Sequence, residues 1–185
     1  GELADYRLYA LIAPHLVNRG AENNAWVGEV KGMPMLFAEG EGSALALGCS
    51  VPLRTRSVGF VGTSDGWQDL ARHFEMRWTY DHAMNGNVAL TGEIDLAAGD
   101  GRFLLALGFG RNAAEAGHRV LASLSEGVLV FGDDRPLLLA NQAAARLLGS
   151  GRRLSQVAGL AEAFRDPESL AELETAFGGE AGQWT

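Results

Sequence analysis

Apolar and polar residues alternate along the first two-thirds of the chain in a way that predicts β-strands. Across residues 5–16, large apolar side chains occupy every second position, as in a strand with one buried face. Short apolar runs follow at residues 25–30, 33–38 and 44–49, separated by turn sequences that contain glycine. Because a parallel pair of strands needs a connection of about a dozen residues, these short turns predict antiparallel pairing.

A short helix is predicted to interrupt this pattern at residues 64–73. Asp65 is followed three positions later by Gln68, which resembles the capping box that starts many helices. Trp67, Leu70 and Ala71 would then share one face. The segment is therefore predicted to be an amphipathic helix between strands.

Strands are predicted again at residues 76–80, 88–96 and 102–109. Asn85-Gly86 and the Gly-Asp-Gly sequence at residues 99–101 are typical of hairpin turns, and we expect them to join these strands. The first part of the chain is thus predicted to be an antiparallel meander or sandwich.

From Asn112 onward the pattern indicates a different architecture. Residues 113–124 are predicted to form a helix with Asn112 as its N-cap. Residues 127–131 and 136–140 are predicted to form a hairpin.

Further helices are predicted at residues 142–148 and 168–177, each closed by glycine. A hairpin followed by short helices differs from the all-β part. We therefore predict two domains, residues 1–124 and 125–185, with the boundary near residues 123–126.

Composition and charge narrow the classes of function. The 185 residues carry a formal net charge of −8, divided equally between the parts before and after Ser123. Without a basic patch to neutralise phosphates, nucleic acid and anionic membrane surfaces are not expected partners. Cys49 is the single cysteine, so neither an intrachain disulfide nor a cysteine-rich metal cluster can form. With no leader and no apolar run near 20 residues, we expect a soluble, cytoplasmic protein.

Two pairs of carboxylates are candidates for acid–base chemistry. Asp65 and Asp69 are four positions apart on the predicted helix, and we interpret them as a cap and a solvated residue. Glu93 and Asp95 alternate along a predicted strand and could form a paired-acid site. We interpret this second pair as the solvent side of a hairpin instead.

Aromatic and histidine side chains offer further candidates for binding. Trp26, Trp67 and Trp78 could stack on sugar rings, but large aromatics in a β protein are more often core residues. Trp67, beside Asp65, is the best candidate for a contact between domains. The histidines lack metal-ligand spacing, and we expect no metal site at His15, His73, His82 or His118.

Residues 108–113 match the dinucleotide-binding pattern G-x-G-x-x-A, between a strand and a helix. The preceding strand belongs to a predicted antiparallel hairpin, whereas a dinucleotide site requires parallel βαβ units. We therefore expect no nucleotide cofactor.

The segment from about residue 5 to residue 124 contains several ungapped sequence blocks in a fixed order. These are residues 8–16 (LYALIAPHL), 24–28 (NAWVG), 32–39 (GMPMLFAE), 62–70 (GTSDGWQDL), 85–93 (NGNVALTGE) and 107–110 (LGFG). The segment resembles the N-terminal β-sandwich domain of bacterial glucoamylases and glucodextranases, glycoside hydrolase family 15. The fold implied is mainly β, a partial antiparallel supersandwich.

This resemblance also implies what the chain lacks. The family's sandwich begins well before the position of residue 1, so about half of it would be absent. In the family an (α/α)₆ barrel follows and carries the two catalytic glutamates, and no position here matches them. Glycoside hydrolysis needs two carboxyl groups about 5–9.5 Å apart. No catalytic residue is therefore carried over to this chain, and no cofactor is implied.

Residues 125–177 look like the beginning of a PAS domain of bacterial sensor kinases. The resemblance rests on a strand (EGVLVF), an acidic turn (DDR), a second strand (LLLAN) and an Ala-rich helix (AAARLLG). A PAS domain would need three more strands, so a small α+β PAS-like segment is expected here without a readable ligand pocket.

Together these patterns predict a non-catalytic accessory module of a glucoamylase-type enzyme, fused to a PAS-like segment. One alternative is a PAS-containing sensor module. Another is a part of an active glucoamylase whose barrel is supplied elsewhere. Expected partners are an α-glucan or the missing catalytic domain. The exposed strand edge of a partial sandwich also predicts self-association.

Overall fold

The computed structural model describes residues 6–125, 129–131, 137–140 and 143–144. The chain divides into two compact units, Gly1–Ser125 and Glu126–Thr185. The described strands of the first unit are β1 (Leu8–Ile12), β2 (Asn23–Val30), β3 (Met33–Gly40), β4 (Ser43–Cys49), β5 (Leu53–Phe60), β6 (His82–Gly86), β7 (Val88–Ile94) and β8 (Leu105–Gly110). Its described α-helices are α1 (Gly66–His73) and α2 (Ala113–Ser125).

The strands of the first unit form two antiparallel sheets. One sheet has five strands in the order β6-β2-β3-β4-β8, and the other has three in the order β1-β7-β5. All strand pairs among the described residues are antiparallel. The predicted mainly β, antiparallel class is confirmed.

The inner faces of the two sheets pack on each other and form the main core. Leu36 and Leu47 of the five-stranded sheet meet Val58 and Leu90 of the three-stranded sheet. These side chains are almost completely buried, so hydrophobic burial holds the two sheets together. The first unit is therefore a β-sandwich.

A helix covers the outer face of each sheet. Helix α2 buries Val120 against Met35 and Phe37 of the five-stranded sheet. Helix α1 contacts β5 and β7 of the three-stranded sheet, where Gly66 lies against Thr91. The two helices therefore lie on opposite sides of the sandwich.

Several predicted elements differ from the structure. Strand β5 was not predicted, because its Arg and Ser residues obscure the apolar alternation. Residues 76–80 are not a strand. The predicted hairpins at Asn85-Gly86 and at residues 99–101 are wrong, because β6, β7 and β8 alternate between the two sheets. The connections from β6 to β7 and from β7 to β8 therefore cross from one sheet to the other. Both residues of Asn85-Gly86 lie in β6.

The glycine pattern at residues 108–113 serves helix packing. A Cβ atom on Gly108 would lie 2.2 Å from the backbone oxygen of Ala116, and one on Gly110 would lie 2.7 Å from the Ala116 nitrogen. The glycines thus allow α2 to lie directly on β8, which pairs antiparallel with β4. Asn112 Oδ1 accepts a hydrogen bond from the Glu115 backbone N–H at 2.9 Å, so its predicted N-cap role is confirmed.

The described part of the second unit contains the predicted hairpin. Strands β9 (Leu129–Phe131) and β10 (Leu137–Ala140) pair antiparallel. Ala143 and Ala144 are helical. The predicted turn at residues 132–135, most of the helix at 142–148 and the helix at 168–177 lie outside the described residues. In the described parts of both units, no helix has the length and apolar character needed to cross a membrane.

Candidate functional site at helix α1

Local interactions fix both ends of α1. Asp65 is the N-cap: one carboxylate oxygen accepts the Gln68 backbone N–H at 2.9 Å, and the other accepts the Gly62 N–H. This confirms the capping role predicted for Asp65. At the other end, Phe74 adopts a left-handed conformation with φ 59° and donates its N–H to the Leu70 carbonyl at 2.9 Å. That conformation normally favours glycine at the end of a helix.

Helix α1 turns Asp69 towards the protein, and the apolar side chains of Trp67 and Phe74 point to solvent. Gly66 and Asp69 are buried, whereas Trp67 is 67% exposed and Phe74 is 86% exposed. The predicted apolar face exists but does not pack on the core. Interpreting Trp67 as a core residue is therefore wrong. We call the exposed residues Trp67, Ala71 and Phe74, together with the half-buried Leu70, the apolar α1 face.

The inward side of α1 is determined by close contacts. A Cβ atom on Gly66 would lie 2.3 Å from the Thr91 side chain, so only glycine allows the helix to approach β7 this closely. Asp69, one turn further on, must also point inward because its partners lie there. These two residues turn the apolar side chains outward.

Asp69 connects α1 to the segment that follows it. Its side chain is 1% exposed, and Oδ2 accepts the backbone N–H groups of Arg77 and Trp78, each at 2.7 Å. Oδ1 lies 2.7 Å from Nδ1 of His73. Burial alone would raise the pKa of Asp69, but the donors from Trp78, His73 and Arg77 outweigh it and hold the pKa below its usual value. Interpreting Asp69 as a solvated residue is wrong.

Trp78 lies beside the polar edge of α1. The Arg72 guanidinium lies 5.4 Å from the Trp78 ring centroid, within cation–π range. The His73 ring meets Trp78 edge-on at 5.9 Å, and the Tyr80 ring lies 6.5 Å away. Trp78 is half-buried and thus belongs to the surface around α1, not to the core.

Trp26 lies elsewhere. It stacks on Phe37 with ring centroids 5.5 Å apart and packs against the cluster beneath α2. Trp26 and Trp67 are therefore on opposite sides of the sandwich. Of the four predicted site residues, the structure brings together Asp65, Trp67 and Asp69, and it leaves Trp26 apart.

Glu93 and Asp95 have separate partners. Glu93 is buried on β7, where Oε2 accepts the Thr55 hydroxyl at 3.1 Å, so the solvent-side interpretation is wrong for it. Asp95 lies just beyond β7 and accepts from Arg54 at 2.7 Å and from the N–H of Ala97 at 3.1 Å. The Arg54 contact contributes most to holding the pKa of Asp95 below its usual value. Among the described residues, no group of three His, Cys, Asp or Glu side chains is arranged to hold a metal ion.

Phe74 is a surface residue that the sequence interpretation missed. It follows Trp67 by seven positions, which places both on the same side of a helix. This seven-residue spacing is a signal that the sequence contains. Because the helix is predicted to end at residue 73, Phe74 is not included in its apolar face.

Comparison with known proteins assigns this sandwich to a family. The sequence model described as glucodextranase, domain N, matches residues 1–131. The chain belongs to the glucodextranase domain N family. The glucoamylase of Clostridium sp. (strain G0005) is 32% identical over 126 residues, which cover 68% of this chain and 18% of that enzyme.

A crystal structure of a bacterial glucoamylase complexed with acarbose has the same fold, with a TM-score of 0.64 and 32% identity. The match covers 68% of this chain and 18% of the glucoamylase. The chain thus spans about a fifth of the length of these relatives. The matches support the glucoamylase-type part of the resemblance, and they give no support to the PAS part.

Proposed function

We propose that this chain is a non-catalytic accessory module of a glucan-hydrolysing enzyme of the glucoamylase type. In this proposal the module binds the catalytic part of such an enzyme through the apolar α1 face. Membership of the glucodextranase domain N family supports the accessory role. The matched segment is about a fifth of the similar glucoamylases, so most of each of those enzymes lies outside it. The outward orientation of Trp67 and Phe74 supports docking through this face.

The orientation of α1 is the observation that carries the proposal. Exposed apolar patches on soluble domains mark interaction sites, and Trp is enriched among the residues that dominate binding energy. Burying a side chain of this size contributes about 1.5–3 kcal/mol. Trp67 and Phe74 together can therefore provide a substantial part of a docking free energy.

Phe74 supports the same surface in a second way. An L-residue in the left-handed region costs about 1–2 kcal/mol, and an exposed phenyl ring gains little by burial in return. Such local costs are concentrated at functional positions. A phenylalanine here is unfavourable for the free module and favourable for a module that docks.

Asp65 and Asp69 hold the surface rigid before binding. Their carboxylates fix the start of α1 and the segment after it through five hydrogen bonds to the Gly62, Gln68, Arg77, Trp78 and His73 nitrogens. A preorganised surface loses less conformational entropy when it binds. We therefore assign these two residues a positioning role.

The carboxylates considered for catalysis support a non-catalytic module. Asp65, Asp69, Glu93 and Asp95 each interact with neighbouring backbone or side-chain groups. A glycosidase needs one carboxyl on each side of the scissile bond. The contacts of these four carboxylates therefore support structural roles.

The docking proposal can be tested with a truncated relative. A Clostridium sp. glucoamylase lacking its matching segment is mixed with this chain, and the affinity is measured by calorimetry. We expect binding that Trp67→Asp weakens about 30-fold, as at a hot-spot residue. Met84→Asp is the matched control, because Met84 is also an exposed apolar residue but lies on β6, and it should bind within about twofold of wild type. Equal weakening by both variants would contradict the proposal.

Phe74→Gly separates docking from stability. Glycine relieves the left-handed strain, so the free chain should become more stable by about 0.5–1 kcal/mol in urea unfolding. The same substitution should weaken binding to the truncated glucoamylase at least about tenfold. A variant that is both less stable and fully able to bind would refute the role given to Phe74.

Two alternative functions have distinct outcomes. If the chain were part of an active glucoamylase whose barrel is supplied elsewhere, adding it to the truncated enzyme would restore glucose release from maltodextrin. If it were a PAS-containing sensor, as the β9–β10 hairpin allows, maltooligosaccharide would quench Trp fluorescence saturably with this chain alone. We expect that adding the chain restores no glucose release to the truncated enzyme, and that maltooligosaccharide causes no quenching with the chain alone.

A further inference from the structure

The segment between β5 and β6 is attached to the sandwich through polar groups. We call residues 61–81, which include α1 and are all described by the structure, the α1 segment. Its buried residues are Asp65, Gly66 and Asp69, whereas its apolar side chains are half-buried or exposed. The two hydrophobic clusters of the sandwich draw their side chains from residues before 61 and after 81. Hydrophobic burial, which holds the two sheets together, therefore contributes little to holding this segment.

Both ends of the α1 segment are hydrogen-bonded to the sandwich. At its start, the Val61 N–H donates to the Asn87 carbonyl at 2.8 Å. At its end, the Tyr80 carbonyl accepts the Val58 N–H of β5 at 2.9 Å, and the Tyr80 N–H donates to Ser57 Oγ at 3.0 Å. The ends are thus fixed, and the part between them, which contains α1, depends on contacts of its own.

Asp69 connects the middle of α1 to the chain that returns to the sandwich. Its buried carboxylate accepts the backbone N–H groups of Arg77 and Trp78 and contacts His73. Separating α1 from the returning chain would leave two N–H groups and a buried carboxylate without partners until water reached them, which is costly. The helix and the returning chain are therefore expected to leave the sheet together.

The other side-chain contacts between α1 and the returning chain lie at the surface. The exposed Arg72 lies over the Trp78 ring, and the exposed Arg77 pairs with Glu75 at 2.9 Å. Exposed ion pairs and cation–π contacts contribute little to stability, because water and salt weaken them. The closed form of the segment therefore depends mainly on Asp69.

We propose that the α1 segment opens and closes as one unit while the two sheets stay folded, and that Asp69 holds it closed. Elements that bury few apolar groups commonly open locally at a lower free energy than global unfolding requires. Opening would remove the apolar α1 face as a defined surface, so a docking partner would bind the closed form only. This consequence for docking rests on the proposed function, whereas the opening itself does not.

Native-state hydrogen exchange of the full 185-residue chain, in increasing but sub-denaturing urea, tests the proposal. The amides to follow are hydrogen-bonded within the segment: Gln68, Phe74, Arg77 and Trp78. We expect them to share one opening equilibrium with a smaller urea dependence than the amides of β3, because opening the segment exposes less surface than global unfolding. Exchange through global unfolding alone, or a separate opening for each amide, would overturn the proposal.

Asp69→Asn distinguishes control of the whole segment from a local contact. The substitution weakens all the contacts of the carboxylate, so it should speed exchange at the four amides by a common factor of about 30–100. Faster exchange at Arg77 and Trp78 with unchanged exchange at Phe74 would contradict the role given to Asp69.

Gly108→Ala is the matched control outside the segment. It disturbs the packing of α2 on β8, which stays intact when the α1 segment opens. Exchange of the β3 amides through global unfolding should therefore become faster, while the four amides of the segment stay within about twofold of wild type. Equal acceleration of both sets would refute independent opening.

The same measurement separates this proposal from the proposed function. Opening of the segment is read from the free chain, without any partner. Adding the truncated glucoamylase should slow exchange at the four amides, because docking binds the closed form. A shared opening in the free chain that the truncated glucoamylase does not slow would contradict docking through the apolar α1 face and would still support the opening.

Discussion

Replacing Asp69 by Asn removes the charge from the carboxylate that connects α1 to the following segment. In the wild type, Oδ2 accepts two backbone N–H groups, from Arg77 and Trp78, and Oδ1 contacts His73 Nδ1, all at 2.7 Å. The Asn side chain retains one acceptor oxygen. That oxygen can serve both backbone donors when the amide NH₂ turns towards His73, so the geometry survives while the charge is lost.

The expected cost follows from the number of hydrogen bonds. A hydrogen bond to a charged group contributes about 1.5–3 kcal/mol, and a neutral one contributes about 0.5–1.5 kcal/mol. Three weakened bonds therefore predict a loss of about 2–3 kcal/mol for Asp69→Asn, allowing for non-additivity within one network. This is a large part of the about 5–15 kcal/mol that stabilises a typical domain.

Urea unfolding followed by Trp fluorescence measures this loss, and hydrogen exchange at the Arg77 and Trp78 amides locates it. Asp81→Asn is a suitable control, because Asp81 is exposed and its backbone carbonyl, which accepts the Val27 N–H, is retained. The control should change stability by less than about 0.5 kcal/mol. An Asp69→Asn variant as stable as the control would refute the role assigned to the buried carboxylate.

The pH dependence has a definite sign. Because the native pKa of Asp69 is below its usual value, the carboxylate stabilises the fold above the unfolded-state pKa, which is about 3.9 for Asp. This contribution is lost as the pH falls through the lower native pKa. The stability difference between wild type and Asp69→Asn should be constant above about pH 5 and shrink below about pH 4. A difference that grows on acidification would contradict the sign.

Three further predictions concern packing, strain and reactivity. Gly108→Ala should destabilise the chain by about 1–3 kcal/mol in urea unfolding, because its Cβ would lie 2.2 Å from the Ala116 backbone oxygen. Val17→Asn should raise the free energy of unfolding by about 0.5–1 kcal/mol, because Val17 is exposed and has φ 49°, which Asn tolerates better. Burial raises the pKa of the Cys49 thiol, so a thiol reagent should label the native chain slowly and the urea-unfolded chain rapidly.

The sequence predicted those parts of the fold that depend on local signals. Strands β2, β3 and β4 follow from apolar runs between turns, and the N-cap roles of Asp65 and Asn112 follow from side-chain chemistry. Sheet membership did not follow, because it depends on contacts between distant strands. The short segments before and after β7 have the composition of hairpin turns, yet β7 pairs with β1 and β5.

The candidate site was predicted in part, for a related reason. Periodicity indicates that α1 has two faces, but it does not say which one packs on the protein. Two contacts decide the orientation of α1. Gly66 approaches Thr91 closely, and Asp69 accepts the backbone N–H groups of Arg77 and Trp78. Both involve residues that are distant in sequence or lie outside the helix. The buried state of Asp69 was therefore beyond the reach of a local pattern.

Two surfaces of the first unit are apolar and yet exposed to solvent, which indicates that each is covered by another surface. The outward side of α1 and the inner face of β8 both have the apolar spacing of buried elements, and both are open in the first unit. Asp65 and Asp69 fix the conformation of α1, and pairing with β4 fixes that of β8. Since a rigid, exposed apolar surface is unfavourable in water, each is better explained as an interface than as a packing defect. The distinction is measurable for α1: Trp67→Asp should weaken docking about 30-fold, whereas Met84→Asp, which lies outside the apolar α1 face, should leave it within about twofold of wild type.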